Sequence, residues 1–177
     1  MKHALYIVGE PGVGKSTLAS AITAGTEVVM TCAKPLAHRH YRNRVTELGA
    51  WRESFSGTDA LGMAVQPVAV TFLHDPTCQD LLMAEGDRLA NDGFLNAVLA
   101  AGYDLTILAL VGARAAARRR AARGTAQDPK WVAGRQTKVA NLMERWGSRV
   151  TVLDATLPVP DLLRCLTDPV STSFRSA

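Results

Sequence analysis

The residues Gly9-Glu10-Pro11-Gly12-Val13-Gly14-Lys15-Ser16 have the spacing G-x-x-x-x-G-K-[ST]. A loop of this kind turns its backbone N–H groups toward phosphate oxygens, and its glycines let the chain approach the anion with no Cβ in the way. The loop is correctly framed. Ala4-Leu5-Tyr6-Ile7-Val8 reads as a buried strand just before it, and Thr17-Leu18-Ala19-Ser20-Ala21-Ile22 reads as a helix start just after it. Gly9, Gly12, Val13, Gly14, Lys15, Ser16 and Thr17 are therefore the candidate nucleotide contacts. Lys15 is expected to reach the β- and γ-phosphates, and the Ser16 hydroxyl to ligate Mg²⁺. The ligand this predicts is a nucleoside triphosphate, ATP with Mg²⁺.

Carboxylates come next. Glu85-Gly86-Asp87-Arg88 follows the apolar run Leu81-Leu82-Met83-Ala84, so it falls at the carboxyl end of a strand, where open α/β sheets place their ligands. One of Glu85 and Asp87 can serve the metal shell and the other can accept a proton from an attacking hydroxyl. Ser16 with Asp87 is the candidate metal set, with a cap for the helix that follows as the plainer alternative for Asp87. Arg88 can hold an acceptor or stabilise transferred charge. Asp59, in Gly57-Thr58-Asp59-Ala60-Leu61-Gly62, is a second candidate base and just as readily a helix cap.

Charge is unevenly placed. From Ala113 to Arg149 ten basic residues face only Asp128 and Glu144, a net +8 within a chain of +4, which leaves the remainder at −4. That concentration predicts a polyanion handled there. Ala113 to Arg123 is almost wholly alanine and arginine, a strong helix former without core side chains. Arg114 with Arg118, and Arg119 with Arg123, share faces at i,i+4 spacing and repel one another until an anion lies between them. The segment is expected to be a weakly docked lid over about 113–130, mobile when empty and closing over triphosphate. Arg118 and Arg119 are its candidate catalytic residues, and Arg114 and Arg118 its candidate nucleotide contacts. On the next helix Arg135, Lys138 and Arg145 line one side, while Val132, Val139, Met143 and Trp146 line the core side; Trp131 is also assigned to the core. Lys34, His38, Arg39, His40, Arg42, Arg44 and Arg52 form a third basic cluster, an acceptor site or a solvated helix face.

These residues need a scaffold, and alternation of strand and helix supplies one. Strands at about 4–8, 27–31, 81–84, 105–111 and 150–153, with helices between them, predict an α/β, doubly wound, five-stranded parallel sheet. Helices are expected at about 35–48, from Asp59 through Val70 with Pro67 interrupting, at 88–101, from Pro129 to about Trp146, and from Pro160. A length of 177 residues, 47% of them apolar, suits one domain with one sizeable core. No stretch approaches the ~20 apolar residues of a membrane span, and the chain enters its first strand directly. The expected compartment is the cytoplasm, with no membrane partner. Cys32, Cys78 and Cys165 show no paired spacing and read as small buried hydrophobes. The four histidines show no metal-ligand pattern.

The phosphate loop, Glu85-Gly86-Asp87-Arg88 and the arginine-rich segment together resemble small phosphate-loop kinases of the nucleoside and nucleotide kinase type. Asp87-Arg88 is similar to their Asp-Arg pair after the third strand. Ala113 to Arg123 resembles their lid, and Asp154-Ala155-Thr156 their adenine-contacting loop. The resemblance implies a strand order of 2-3-1-4-5 and an activity: transfer of the γ-phosphoryl group of ATP to a nucleoside-like acceptor. Gly57-Thr58-Asp59-Ala60-Leu61 and Gly134-Arg135-Gln136-Thr137-Lys138 also resemble bacteriophage kinases that phosphorylate 5-hydroxymethyluracil within DNA. This second resemblance adds DNA bearing a modified base as a candidate partner. A nucleotide-dependent ATPase or switch, and a pure ATP-binding module, remain the other classes.

Overall fold

The computed structural model describes residues 1–51, 56–122, 124 and 127–167. Its centre is a seven-stranded sheet of β1 (Lys2–Gly9), β2 (Val28–Cys32), β3 (His38–Tyr41), β4 (Val45–Leu48), β7 (Leu81–Glu85), β8 (Tyr103–Val111) and β9 (Val150–Asp154). Their order across the sheet is β2-β3-β4-β7-β1-β8-β9. A small hairpin, β5 (Ala50–Trp51) with β6 (Ser56–Gly57), stands apart. The helices are α1 (Lys15–Ile22), α2 (Gln66–Phe72), α3 (Asp92–Ala100), α4 (Ala113–Ala122), α5 (Pro129–Arg145) and α6 (Val159–Thr167). Among the described residues no helix is long and apolar enough to cross a membrane.

The expected parallel order holds, with a different second strand. β4, β7, β1, β8 and β9 pair in parallel, but the second place belongs to Val45–Leu48, which the sequence reading had placed in a helix. Residues 35–48 form two strands, and β2 becomes the edge of an antiparallel ribbon, β2-β3-β4. The physical reason is burial. All four β4 residues are buried, Thr46 and Glu47 included, so its side chains follow a sheet covered on both faces and not the period of an amphipathic helix. Arg44 at φ 67 makes the turn between β3 and β4.

Two apolar layers flank the sheet. Phe94, Leu95 and Val98 of α3, Leu73 after α2, and Val139 and Leu142 of α5 cover one face. Leu18 and Ala19 of α1, Ala116 of α4 and Leu162 of α6 cover the other. Capping fixes two of the helix starts. The Asn91 side chain accepts from Phe94 N at 3.2 Å, and Asp128 accepts from Lys130 N at 2.8 Å ahead of Pro129. Asp87 is thus not the α3 cap. Trp131 is 40% exposed, with the Arg135 guanidinium 5.2 Å from its ring centre, so its assignment to the core is corrected. Met143 and Trp146 do pack against the core.

Candidate active site

The carboxyl ends of β1, β7 and β8 converge on one sheet edge, and the phosphate loop joins β1 to α1 there. Lys15 is buried within the loop, and its ammonium donates to the carbonyls of Gly9 (2.9 Å) and Glu10 (3.4 Å). Gly12 and Gly14 take positive φ, 81° and 111°. The N-terminal end of α1 completes the anion cradle.

β7 brings Glu85 beside this loop. Ser16 Oγ donates to Glu85 Oε1 at 2.8 Å, and Ser56 Oγ lies 2.7 Å from Ser16 Oγ and 3.1 Å from the same carboxylate oxygen. Burial pushes the Glu85 carboxyl above the ordinary range, against the Ser16 bond and the Lys15 charge, which pull it down. The hydroxyl expected to ligate Mg²⁺ is thus bonded to Glu85, while Asp87, the other member of the expected metal set, stands one step further along the strand end. Ser16 and Glu85 together offer a hard oxygen donor and an acceptor that fit a hydrated Mg²⁺ shell. No group of three or more metal-binding side chains occurs among the described residues, so water and phosphate oxygens would have to complete such a shell.

Asp87 belongs to a second cluster. Its backbone N–H donates to Asp59 Oδ1 at 2.7 Å, its carboxylate pairs with Arg135 Nη1 at 3.2 Å, and Lys138 Nζ donates to its carbonyl at 2.6 Å. Burial raises the Asp87 carboxyl, and the neighbouring Asp59 charge adds to the rise while Lys15, Arg135 and Lys138 oppose it. Burial also lowers the Lys138 ammonium. Asp59 is no helix cap: it lies in a short 3₁₀ turn, Thr58–Ala60. Arg88 reaches back to the Asp59 carbonyl at 3.4 Å and to Met63 Sδ, and its buried Nε has no hydrogen-bond partner among the described residues.

The hairpin loop is locked onto β7. Thr58 Oγ1 donates to the Glu85 carbonyl at 2.9 Å and shares a 3.2 Å hydrogen bond with the buried Tyr6 hydroxyl. Gly57, at φ 65, packs so closely that a Cβ would stand 2.4 Å from Glu85 Oε1 and 2.6 Å from its carbonyl oxygen. Ser56 and Thr58 escaped the sequence reading because a lone hydroxyl carries no spacing signal. Arg135 and Lys138 were visible as a basic side of α5 but were not tied to Asp87.

The arginine-rich helix departs from expectation. Ala115 and Ala116 are buried, and small side chains let α4 lie close against the loop, so it is docked there. Arg119 donates to the Val13 carbonyl and, at 3.1 Å, to the Ala155 carbonyl in the loop after β9. Arg120 donates to the Pro11 carbonyl and pairs with Glu10 at 3.5 Å. Arg114 and Arg118, the expected nucleotide contacts of this helix, are exposed on the opposite face. Arg123 lies outside the described residues, as does Arg52. The third basic cluster is also largely spent within the fold. His38 and His40 are buried, Arg42 pairs with Glu27, Arg44 pairs with Asp80, both at 2.6 Å, and Arg39 stacks 3.7 Å from the Trp51 ring centre.

Similarity to known proteins agrees with this geometry. The chain has the fold of a deoxyadenosine kinase from M. mycoides, solved with bound dCTP, at 12% identity and a TM-score of 0.50 over 96% of this chain and 99% of that one. A gluconokinase from Sinorhizobium meliloti 1021 is similar at 12% identity and a TM-score of 0.46, covering 92% of this chain and 87% of that one. No curated relative matches. The family model described as P-loop Nucleotide Kinase3 matches residues 1–166, nearly the whole chain from the phosphate loop through α5 and β9, and the chain belongs to that family of nucleotide-using phosphotransferases.

Proposed function

We propose that this kinase moves the γ-phosphoryl group of Mg²⁺-bound ATP to a hydroxyl on a nucleoside-like acceptor, the hydroxymethyl group of a modified base in DNA being the favoured case. The observation that carries the reading is the division of the acidic residues: Glu85 serves Ser16, while Asp87 and Asp59 stand together beyond it. The first arrangement suits the metal side of phosphoryl transfer and the second the acceptor side. The acceptor oxygen attacks the γ-phosphorus, its proton passes to Asp87 or Asp59, and the bond to the β-phosphate oxygen breaks to release ADP. A raised carboxyl makes Asp87 a stronger base than an ordinary aspartate. Lys15 and Arg119 neutralise charge at the phosphates and the nucleotide, and Arg88 holds the acceptor.

Two further points support DNA. The segments that resemble hydroxymethyluracil kinases, 57–61 and 134–138, meet at Asp87 through Asp59, Arg135 and Lys138. Arg114 and Arg118 also leave an exposed cationic face that the nucleotide does not need, suited to a phosphate backbone. A base in a duplex would have to leave the stack to reach the carboxylates.

The test is transfer of label from γ-labelled ATP to deoxynucleosides, deoxynucleotides, plain DNA and DNA bearing 5-hydroxymethyluracil. Label in hydroxymethylated DNA, and none in plain DNA, is the expected result. Label confined to free nucleosides or nucleotides would remove the DNA acceptor, and phosphate released only to water would remove the acceptor altogether.

A further inference from the structure

Glu10 places a carboxylate inside a loop built to hold anions. Its side chain is only 8% exposed, so little water screens its charge from an incoming triphosphate. Phosphate binding has no use for this group, and the side chain turns the other way. Oε2 accepts from Gln136 Nε2 of α5 at 2.7 Å and lies 3.5 Å from Arg120 Nη1 of α4, a nitrogen that also donates to the Pro11 carbonyl. One carboxylate thus joins the phosphate loop to both helices that flank residues 123–128. Its partners adjoin the residues that matter. Arg120 follows Arg119, and Gln136 lies between Arg135 and Lys138, both bound to Asp87.

We propose that Glu10 is a positioning residue, a clamp that fixes α4 and α5 on the phosphate loop and so sets the register of Arg119, Arg135 and Lys138, with weakened nucleotide binding as its cost. The inference rests on ATP being the phosphoryl donor. Truncation should loosen the helices and at the same time relieve repulsion of the triphosphate. A residue needed only for the loop's own fold would weaken nucleotide binding instead.

Two measurements on Glu10→Ala, Gln136→Ala and the exchanged pair Glu10→Gln/Gln136→Glu separate these cases. The first is amide hydrogen exchange of the nucleotide-free protein, and the second is calorimetric titration with Mg²⁺ and the non-hydrolysable analogue AMP-PNP. Glu10→Ala should speed exchange across 113–122 and 129–138 by roughly tenfold, the scale of one lost hydrogen bond to a charged group, and Gln136→Ala should do so across 129–138, with β1 and β8 unchanged in both. Glu10→Ala should bind the analogue at least as tightly as the wild type. The exchanged pair re-forms the carboxylate–amide contact with its ends reversed and should restore slow exchange across 129–138. Gln136 is exposed, so its truncation tests the clamp without disturbing the loop. Weaker binding by Glu10→Ala with unchanged exchange would overturn the clamp, and so would an exchanged pair that exchanges as fast as the alanine variants. A wild type that fails to bind the analogue would sink the donor reading, and the exchange arm would still decide the clamp.

Discussion

Gly57→Ala tests how the hairpin loop is joined to the strand that carries Glu85. Gly57 has φ 65° and ψ −146°, a combination close to the region that only glycine populates readily. Imposing it on alanine costs about 1–3 kcal/mol. A Cβ there would also stand 2.6 Å from the Glu85 backbone oxygen and 2.4 Å from Oε1. The carboxylate can swing aside, but the backbone of a buried parallel strand cannot, and such overpacking costs about 1–3 kcal/mol more. The sum is about 2–6 kcal/mol, and for a chain of this size each kcal/mol lowers Tm by about 2–4 °C. Thermal unfolding of the nucleotide-free protein should therefore fall by roughly 4–24 °C. Relief of the clash moves Glu85 away from Ser16 or lifts Asp59 from the Asp87 N–H, so phosphoryl transfer measured below the new Tm should drop as well. Gly62→Ala is the control, because a Cβ at Gly62 meets nothing within 4 Å; it should leave both readouts nearly unchanged. An unchanged Tm in Gly57→Ala would show that the loop is not seated on β7, and the second carboxylate cluster would lose its support.

Lys15→Ala should cut transfer at least ~10³-fold, the scale of losing a principal charge stabiliser, while apo Tm barely moves; near-normal turnover would rule out the phosphate-loop mechanism. Glu85→Gln and Asp87→Asn should each depress transfer strongly with ATP binding retained in calorimetry, and loss confined to Asp59→Asn would move the base to the hairpin loop. The folded-state pKa values of Glu85 and Asp87 are both raised by burial, so their contribution to stability is full below the ordinary carboxylate range and is lost as pH rises through the raised values. The double variant Glu85→Gln/Asp87→Asn should accordingly melt above the wild type at pH 8 and converge with it near about pH 4, and a gap that widens toward acid would contradict the burial argument. In the nucleotide-free wild type, amides of 113–122 should be protected, since Ala115 and Ala116 are buried; exchange at the rate of an unstructured chain, slowed only by nucleotide, would restore a mobile lid.

What the sequence could and could not disclose follows from the range of each interaction. The phosphate loop was legible because its chemistry is local: eight consecutive residues supply the glycines, the ammonium and the hydroxyl, and the strand and helix around them are adjacent. The acidic turn after β7 was legible for the same reason, but the division of roles within it was not. Glu85 is assigned to Ser16 by a contact spanning 69 residues, and Asp87 is held by Asp59 across 28 and by Lys138 across 51. The composition of α4 misled in an instructive way. Alanines read as an absence of core, yet a stripe of small side chains is what lets a helix approach the phosphate loop closely enough for Arg119 and Arg120 to reach backbone carbonyls. The helix expected at 35–48 failed because polar residues there are buried in pairs. His40 Nδ1 meets Thr46 Oγ1 at 3.1 Å, and the Tyr41 hydroxyl donates to Glu47 at 2.6 Å, so much of the polarity that reads as a solvated face is paired across a β3–β4 ladder, with the Nε2 atoms of His38 and His40 left without partners among the described residues. The same internal pairing consumes much of the charge once available to an acceptor in that region, and the exposed cationic surface shifts to Arg114 and Arg118.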